Sequence, residues 1–250
     1  TSACIRLARA YTGRDKIMVC GYHGWQDWYI GSTSRNKGVP KVVQDLTYTV
    51  RYNDLNSVEE LLQKHKGEFA CLIMEPMNII EPEVGYLENL KKLLHSHGTV
   101  LIFDEIITGF RFDLGGAQKL FNVTPDLAAF GKSMGNGMPI SAIVGLNEIM
   151  KEMEDIFFSG TFGGETLSLA ASLAVIEKMQ TKPVINRLWN IGAALRLEAE
   201  KLIRNYQLEE IISFKGKDPW LFINFSSYKN IRIEAIKTYF FTRLYRAGVL

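Results

Sequence analysis

The sequence predicts an α/β fold: a large domain with a central, mostly parallel sheet, followed by part of a small C-terminal α+β domain. Short apolar runs of strand length alternate with helical patterns through residues 1–180. The runs are continuously apolar, which indicates strands covered on both faces, as in parallel sheets. Polar residues directly follow four of these runs. In open α/β sheets ligands bind at the carboxyl ends of the strands, so these positions are the candidate site.

The individual elements follow from hydrophobic periodicity and from helix-ending signals. Ser57 and Glu60 match a capping box, so a helix is expected to begin there and to end at Gly67. Leucines at helical spacing between residues 87 and 94 predict another helix, which ends before Gly98. A helix is also expected over residues 3–11, and strands are expected at 16–21, 69–74, 100–104, in the run before Lys132, and at 140–145.

The pattern changes after a long helix expected at roughly residues 165–180. A helix from Pro183 to about residue 205, a strand at 220–225 and a helix at 234–246 predict a smaller α+β unit. We therefore expect a large domain at 1–180 and the start of a small C-terminal domain at 181–250. The first residues already read as a helix in progress, so we expect the chain to be the middle of a longer polypeptide.

Composition narrows the class of protein. The chain has 250 residues, 47% of them hydrophobic and 22% charged, which is typical of a globular protein with a large core. A net charge of +2 with scattered basic residues indicates no nucleic-acid partner. No apolar stretch reaches the roughly 18 residues of a membrane span. Three cysteines without metal-ligand spacing predict no metal site and favour a reducing cytoplasm.

Two charged residues carry the functional prediction. Lys132 ends a short apolar run and precedes a glycine-rich turn, so we expect a desolvated amine that can attack carbonyl groups. Asp104, 28 residues earlier, ends another apolar run. A pyridoxal phosphate enzyme requires a carboxylate that holds the ring nitrogen and an amine that forms the Schiff base. The pair therefore predicts a site for this cofactor.

These residues also have structural interpretations. Lys132 could be a solvated lysine after a strand, and Asp104 could cap a helix, but their common register with the glycine turn favours the site. Glu105 points away from Asp104 on an extended segment and is expected to form a structural ion pair. For His23, the roles of general acid, stacking partner and ordinary loop residue stay open.

Four segments in one order resemble the class III, fold type I, pyridoxal-phosphate-dependent aminotransferases, in particular the glutamate-1-semialdehyde aminomutase branch. The likeness covers nearly the whole chain. The segments are 6–14 with 22–24, then 75–76, then 103–111 with 125–126 and 131–132, and finally 159–162.

The resemblance implies a role for each site residue. Lys132 would carry the internal aldimine and move the proton between substrate and cofactor, and Asp104 would pair with the pyridine nitrogen. Ile106 and Tyr22 would pack on the two ring faces, with His23 close by. The resemblance also assigns Glu75 and Asn78 to the wall of the site, and Thr161 to the cofactor phosphate of the partner subunit in a homodimer with shared active sites. The main phosphate loop is expected a few residues before Thr1.

The activity that the resemblance implies is an aminotransferase reaction. A small-molecule amino donor converts the cofactor to pyridoxamine phosphate, which then aminates an aldehyde or ketone acceptor. An aminomutase that moves nitrogen within one molecule and a racemase are alternatives with the same cofactor. A non-catalytic binding protein on the same scaffold is the alternative from another class, although binding alone requires no Schiff-base lysine.

Overall fold

The computed structural model describes residues 1–249 and divides into two compact units. The first unit comprises Thr1–Ile185, and the second begins at Asn186. All the site residues named above belong to the first unit. Among residues 1–249, no helix combines the length and the apolar character needed to cross a membrane.

A six-stranded sheet forms the centre of the first unit. Its neighbouring strands are parallel except for the last pair, β5 and β6, so the predicted mostly parallel sheet is confirmed. The strand order is β2-β1-β3-β4-β5-β6. The strands are β1 (Lys16–Cys20), β2 (Thr47–Thr49), β3 (Phe69–Met74), β4 (Val100–Asp104), β5 (Leu127–Phe130) and β6 (Ala142–Gly145).

Helices connect these strands. Three of the longer helices, at residues 2–12, 55–64 and 86–96, contribute buried apolar residues to the two cores of the sheet, and the short helices are about one turn long. They are α1 (Ser2–Thr12), α2 (Asp27–Ile30), α3 (Lys41–Gln44), α4 (Leu55–Lys64), α5 (Tyr86–Ser96), α6 (Gly116–Leu120), α7 (Asn147–Met150) and α8 (Thr166–Thr181). Two 3₁₀ turns lie at Lys132–Met134 and Lys151–Glu154.

Each face of the sheet has its own apolar core, which explains the continuous apolar strands. Along β1, Met18 and Cys20 pack in the cluster that α4 and α5 cover. Ile17 and Val19 point the other way and pack with α1. Successive residues of a strand alternate between faces, so a strand buried on both sides must be apolar throughout.

The start of α4 differs from the predicted capping box. The helix begins at Leu55, and its N-cap is Asp54, whose carboxylate accepts from the backbone N–H of Ser57 at 3.1 Å. The Ser57 hydroxyl donates to the Asp54 carbonyl at 2.8 Å instead of accepting from Glu60. Because the Asp54 carboxylate accepts from the backbone N–H of Ser57, the first turn of the helix is capped before Ser57. It ends at Lys64, ahead of the predicted Gly67.

The second unit is α+β. Its strands β7 (Ile212–Lys215) and β8 (Phe222–Phe225) form an antiparallel pair. Helix α9 (Val184–Asn205) precedes them and α10 (Ile233–Arg246) follows. Within this unit Arg196 donates to the Asp218 carboxylate at 2.7 Å and to the Gly216 carbonyl at 2.6 Å. The sequence predicted β8 and both helices but not β7.

Candidate active site

The four predicted polar positions lie at one edge of the sheet. Tyr22 and His23 follow β1, Glu75 follows β3, Asp104 is the last residue of β4, and Lys132 follows β5. These strands are consecutive neighbours and run parallel. Their carboxyl ends therefore meet at the same edge, which is where open α/β sheets bind ligands.

Asp104 is almost completely buried and hydrogen-bonds to His23. Its Oδ2 lies 2.8 Å from Nδ1 of His23, and the two side chains are 6% and 0% exposed. The other carboxylate oxygen accepts from the backbone N–H of Ile106 at 3.2 Å. Nε2 of His23 lies 3.1 Å from the Cys20 carbonyl. The carboxylate is thus held in one orientation from both sides.

The hydrogen-bond partners of His23 determine how many protons the pair holds. A carbonyl oxygen only accepts, so Nε2 must carry a proton and donate to Cys20. Nδ1 and Oδ2 of Asp104 then need one further proton between them, because two bare acceptors would repel at 2.8 Å. His23 is therefore a direct partner of the Asp104 carboxylate.

The aromatic residues after β1 surround His23. The Trp28 ring stacks on the imidazole with centroids 6.3 Å apart, and the Tyr29 ring meets it edge-on at 5.4 Å. Nε1 of Trp28 donates to the Ser2 hydroxyl at 2.8 Å, which ties this cluster to the start of α1. These contacts orient His23 toward Asp104. The supporting roles of Ser2 and Trp28 were not predicted from the sequence, because they depend on contacts between α1 and the loop after β1.

Glu75 organises the residues beside Tyr22. Its Oε2 accepts from the backbone N–H of Tyr22 at 3.1 Å and from the Asn78 side chain at 2.8 Å. A Cβ at Gly21 would lie 2.7 Å from this oxygen, and Gly21 has φ +103°. Only glycine allows the carboxylate to approach so closely. Gly21 was not predicted as a site residue, although a glycine between a buried strand and a candidate residue is a signal of close approach.

Lys132 is exposed, so the expectation of a desolvated amine is wrong for this chain. The reason is that β5 ends at Phe130, and Lys132 begins a 3₁₀ turn beyond the sheet edge with φ +40°. The turn nevertheless lies beside the site. Asp104 pairs with Ala129, three residues before Lys132. A Cβ at Gly131 would lie 3.7 Å from Ile106.

Ile106 is half-buried and lines a cavity of about 430 Å³. His23, Phe130, the α1 N-cap Thr1 and Ser2 line the same cavity. Thr161 lies in the exposed segment 157–164 ahead of α8, and Phe158 of this segment lines the same cavity. Seven of the predicted site positions thus lie at one edge of the sheet: Tyr22, His23, Glu75, Asn78, Asp104, Ile106 and Lys132. Thr161 lines none of the cavities described and makes no contact with these residues that the structure records within 1–249.

Glu105 forms no ion pair within residues 1–249, so that prediction is wrong. Its buried carboxylate accepts from the backbone N–H groups of Ala117 and Gln118, each at 2.8 Å. Amide donors at the start of α6 replace the expected cation because they lack intrahelical partners.

Known proteins share this fold. The structure described as the PLP internal aldimine form of the Sphingopyxis sp. MTA144 FumI protein superposes with a TM-score of 0.84 and 26% identity, over 90% of this chain and 55% of that one. The model of the family aminotransferase class-III matches residues 1–250. The fold defines a pyridoxal-phosphate-dependent transferase of fold type I. The chain belongs to the class-III aminotransferase family.

Two curated relatives are similar over much of the chain. The 3-aminobutyryl-CoA aminotransferase of Cloacimonas acidaminovorans is 36% identical over all of this chain and 61% of its own length. The glutamate-1-semialdehyde 2,1-aminomutase of Hyperthermus butylicus is 36% identical over 85% of this chain and 54% of its own length. The chain therefore spans about three fifths or less of the length of these relatives.

The cofactor of this family is pyridoxal phosphate, and the residues present fit it. Asp104 offers a buried carboxylate whose two oxygens are already oriented by His23 and Ile106. Lys132 offers an amine at the same edge, and the exposed Tyr22 ring and Ile106 offer flat and apolar surfaces. The carboxylate suits a cationic ring nitrogen, the amine suits an aldehyde, and the two surfaces suit an aromatic ring.

Proposed function

We propose that the protein is a pyridoxal-phosphate-dependent aminotransferase that transfers an amino group to an aldehyde or ketone. One observation carries the proposal: Asp104, whose buried carboxylate is hydrogen-bonded to His23, lies on β4 opposite Ala129 of β5, three positions before Lys132. When bound, pyridoxal phosphate supplies an aldehyde that condenses with amines and a ring that withdraws electrons.

Each residue at this sheet edge has its own role in the proposed reaction. Asp104 would keep a proton on the nitrogen of a bound ring, and His23 orients the carboxylate through its contact with Oδ2. Lys132 would hold the cofactor through its amine and would act as the base that moves the substrate proton. Tyr22 and Ile106 would offer aromatic and apolar surfaces to the ring. Glu75 and Asn78 hold the backbone of Tyr22 in place.

The start of α1 supports binding of the phosphate. Thr1 and Ser2 line the same cavity as His23 and Ile106, and free amide groups at a helix start favour anions. Thr161 is assigned to the phosphate of a partner subunit. Its exposure, together with the exposed leucines 167, 169 and 173 of the following helix, supports a homodimer with shared sites.

The organisation and location of the protein are also proposals. We assign residues 1–180 to a cofactor-binding large domain and 181–250 to the start of a small C-terminal domain. A cytoplasmic location is supported by three cysteines that are all buried and free. The partners are a small-molecule amino donor and a carbonyl acceptor.

Half-reactions test the proposed function. With a candidate amino donor and no acceptor, the purified holoenzyme is expected to accumulate pyridoxamine phosphate and to release one keto product per site. A racemase would produce neither. An aminomutase, which the second curated relative supports as an alternative, would turn over one substrate without any donor or acceptor. Failure to bind the cofactor would favour a non-catalytic protein.

Replacing Gly21 by Ala is expected to weaken cofactor binding on the order of tenfold. This is the lower end of the loss in affinity seen when residues that orient a binding group are changed. The new Cβ would push the Glu75 carboxylate away from the Tyr22 N–H. Equilibrium titration with pyridoxal phosphate measures the change. Gly38→Ala is the matched control, because Gly38 has φ +94° but no atom within 4 Å of a built Cβ. An equal loss of affinity in both variants would mean that backbone strain alone is responsible.

A further inference from the structure

Glu105 lies between the two residues assigned to the cofactor ring, Asp104 and Ile106, and it is 0% exposed. Oε1 of its carboxylate accepts from the N–H of Gln118 at 2.8 Å. Oε2 accepts from the N–H of Ala117 at 2.8 Å and from the hydroxyl of Thr108. One carboxylate thus gathers three donors, all from the segment that follows it.

The far end of this segment depends on Glu105. Helix α6 has only 5 residues, so its first N–H groups form a large part of its hydrogen-bonding requirement. A Cβ at Gly116 would lie 2.6 Å from Oε2 of Glu105, and Gly116 has φ +75°. The chain therefore has a glycine where the carboxylate approaches most closely, and any other residue would displace it.

The near end is fixed through the backbone of Glu105. Its N–H donates to the Ala129 carbonyl of β5 at 2.9 Å, and its carbonyl accepts from Gly109 at 2.8 Å. The next residue, Ile106, donates its N–H to Asp104. A shift of Glu105 therefore moves Ile106 and withdraws a donor from the carboxylate of Asp104.

Burial raises the pKa of the Glu105 carboxyl, while its hydrogen bonds from Thr108, Gln118 and Ala117 act in the opposite direction. Backbone dipoles thus stabilise the carboxylate in place of a cation. Replacing one carboxylate oxygen of Glu105 by an NH₂ group would therefore leave a buried backbone N–H without an acceptor, which is costly.

We propose that Glu105 is a positioning residue: through the segment 105–118 it sets the orientation of Asp104 and Ile106 toward the cofactor. The segment is held at its start by β5 and at its end by the Glu105 carboxylate. The inference rests on the proposed function for the roles of Asp104 and Ile106. The contact between Asp104 and His23 provides a readout that does not require the cofactor.

Glu105→Gln tests the proposal with little change in volume. In either orientation of the amide, its NH₂ group faces a backbone N–H of Ala117 or Gln118. In the cofactor-free protein we expect faster hydrogen exchange of these two amides and a shifted imidazole N–H resonance of His23. In the holoenzyme we expect affinity for pyridoxal phosphate to fall about 10–100-fold, as for other residues that orient a binding group.

Asp54→Asn is the matched control, since Asp54 caps α4 in the same way, through the N–H of Ser57. It should lose stability but leave the His23 resonance and the cofactor affinity unchanged. Should Glu105→Gln prevent folding, Thr108→Val removes only the hydroxyl donor and should shift the same resonance by less.

Unchanged His23 resonance and cofactor affinity in Glu105→Gln would overturn the proposal and leave Glu105 as a helix cap. If the wild-type protein binds no pyridoxal phosphate, the proposed function fails instead. The His23 resonance in the cofactor-free variants still decides whether Glu105 positions Asp104.

Discussion

Lys132→Ala is expected to abolish the visible absorption of the bound cofactor, at about 410–430 nm, and its trapping by borohydride. Turnover should fall by at least about 10²–10⁴-fold, because the variant lacks the group that moves the substrate proton. Lys132 is the first residue of a 3₁₀ turn that lies at the sheet edge where β1, β3, β4 and β5 end. Absorption spectra of the holoenzyme before and after reduction, followed by mapping of the labelled peptide, measure the effect.

Two variants separate the chemistry of Lys132 from its charge. Lys132→Arg keeps the positive charge but not an amine that can lose its proton, so it should behave like the alanine variant. Lys151→Ala removes another exposed lysine, in the 3₁₀ turn after α7, and should leave spectrum and turnover unchanged. Normal absorption and turnover in Lys132→Ala would show that the amine has no role.

Asp104→Asn is expected to lower turnover by about 10²–10⁴-fold, which corresponds to about 3–5 kcal/mol of lost transition-state stabilisation. Asparagine fits the space but carries no negative charge to stabilise a protonated ring nitrogen. It also changes the proton shared with His23. Steady-state kinetics should show the loss in kcat, and the absorption of the bound cofactor should change with it.

A second Asp–His pair, with a buried carboxylate but an exposed imidazole on α5, provides the control. Asp126, just before β5, lies 3.0 Å from Nε2 of His95 and accepts from the N–H of Leu101 at 2.8 Å. It is 3% exposed, similar to Asp104 at 5%. Asp126→Asn should therefore lower stability without affecting the cofactor spectrum. If both variants reduced turnover only in proportion to their stability, Asp104 would have no special role.

The sequence predicted the central strands well, because their physical requirement is local. Strand β3 is buried at every position from Phe69 to Met74, and a strand covered on both faces has to be apolar throughout. The strands missed, β2 and β7, have 3 and 4 residues, and their partly exposed side chains give no continuous apolar run. Short strands owe their pairing to neighbours that are distant in sequence.

Helix ends were harder to predict, because more than one side chain near a helix start can act as its cap. Ser57 satisfies the capping pattern, yet the N-cap is Asp54, three residues earlier, whose carboxylate accepts from the Ser57 N–H. Glu105 caps a helix over a longer distance in the sequence. Its partners at 117 and 118 become neighbours only after the chain has turned back.

The sequence by itself determined the fold class and which residues stand at the binding edge, because polar groups at the ends of buried strands are fixed by local pattern. Tertiary structure decided their relations: the hydrogen bond from His23 to Asp104, the approach of Glu75 to Gly21 and the exposure of Lys132. Burial and hydrogen bonding between residues up to 81 positions apart depend on packing, and packing is not encoded in any single segment.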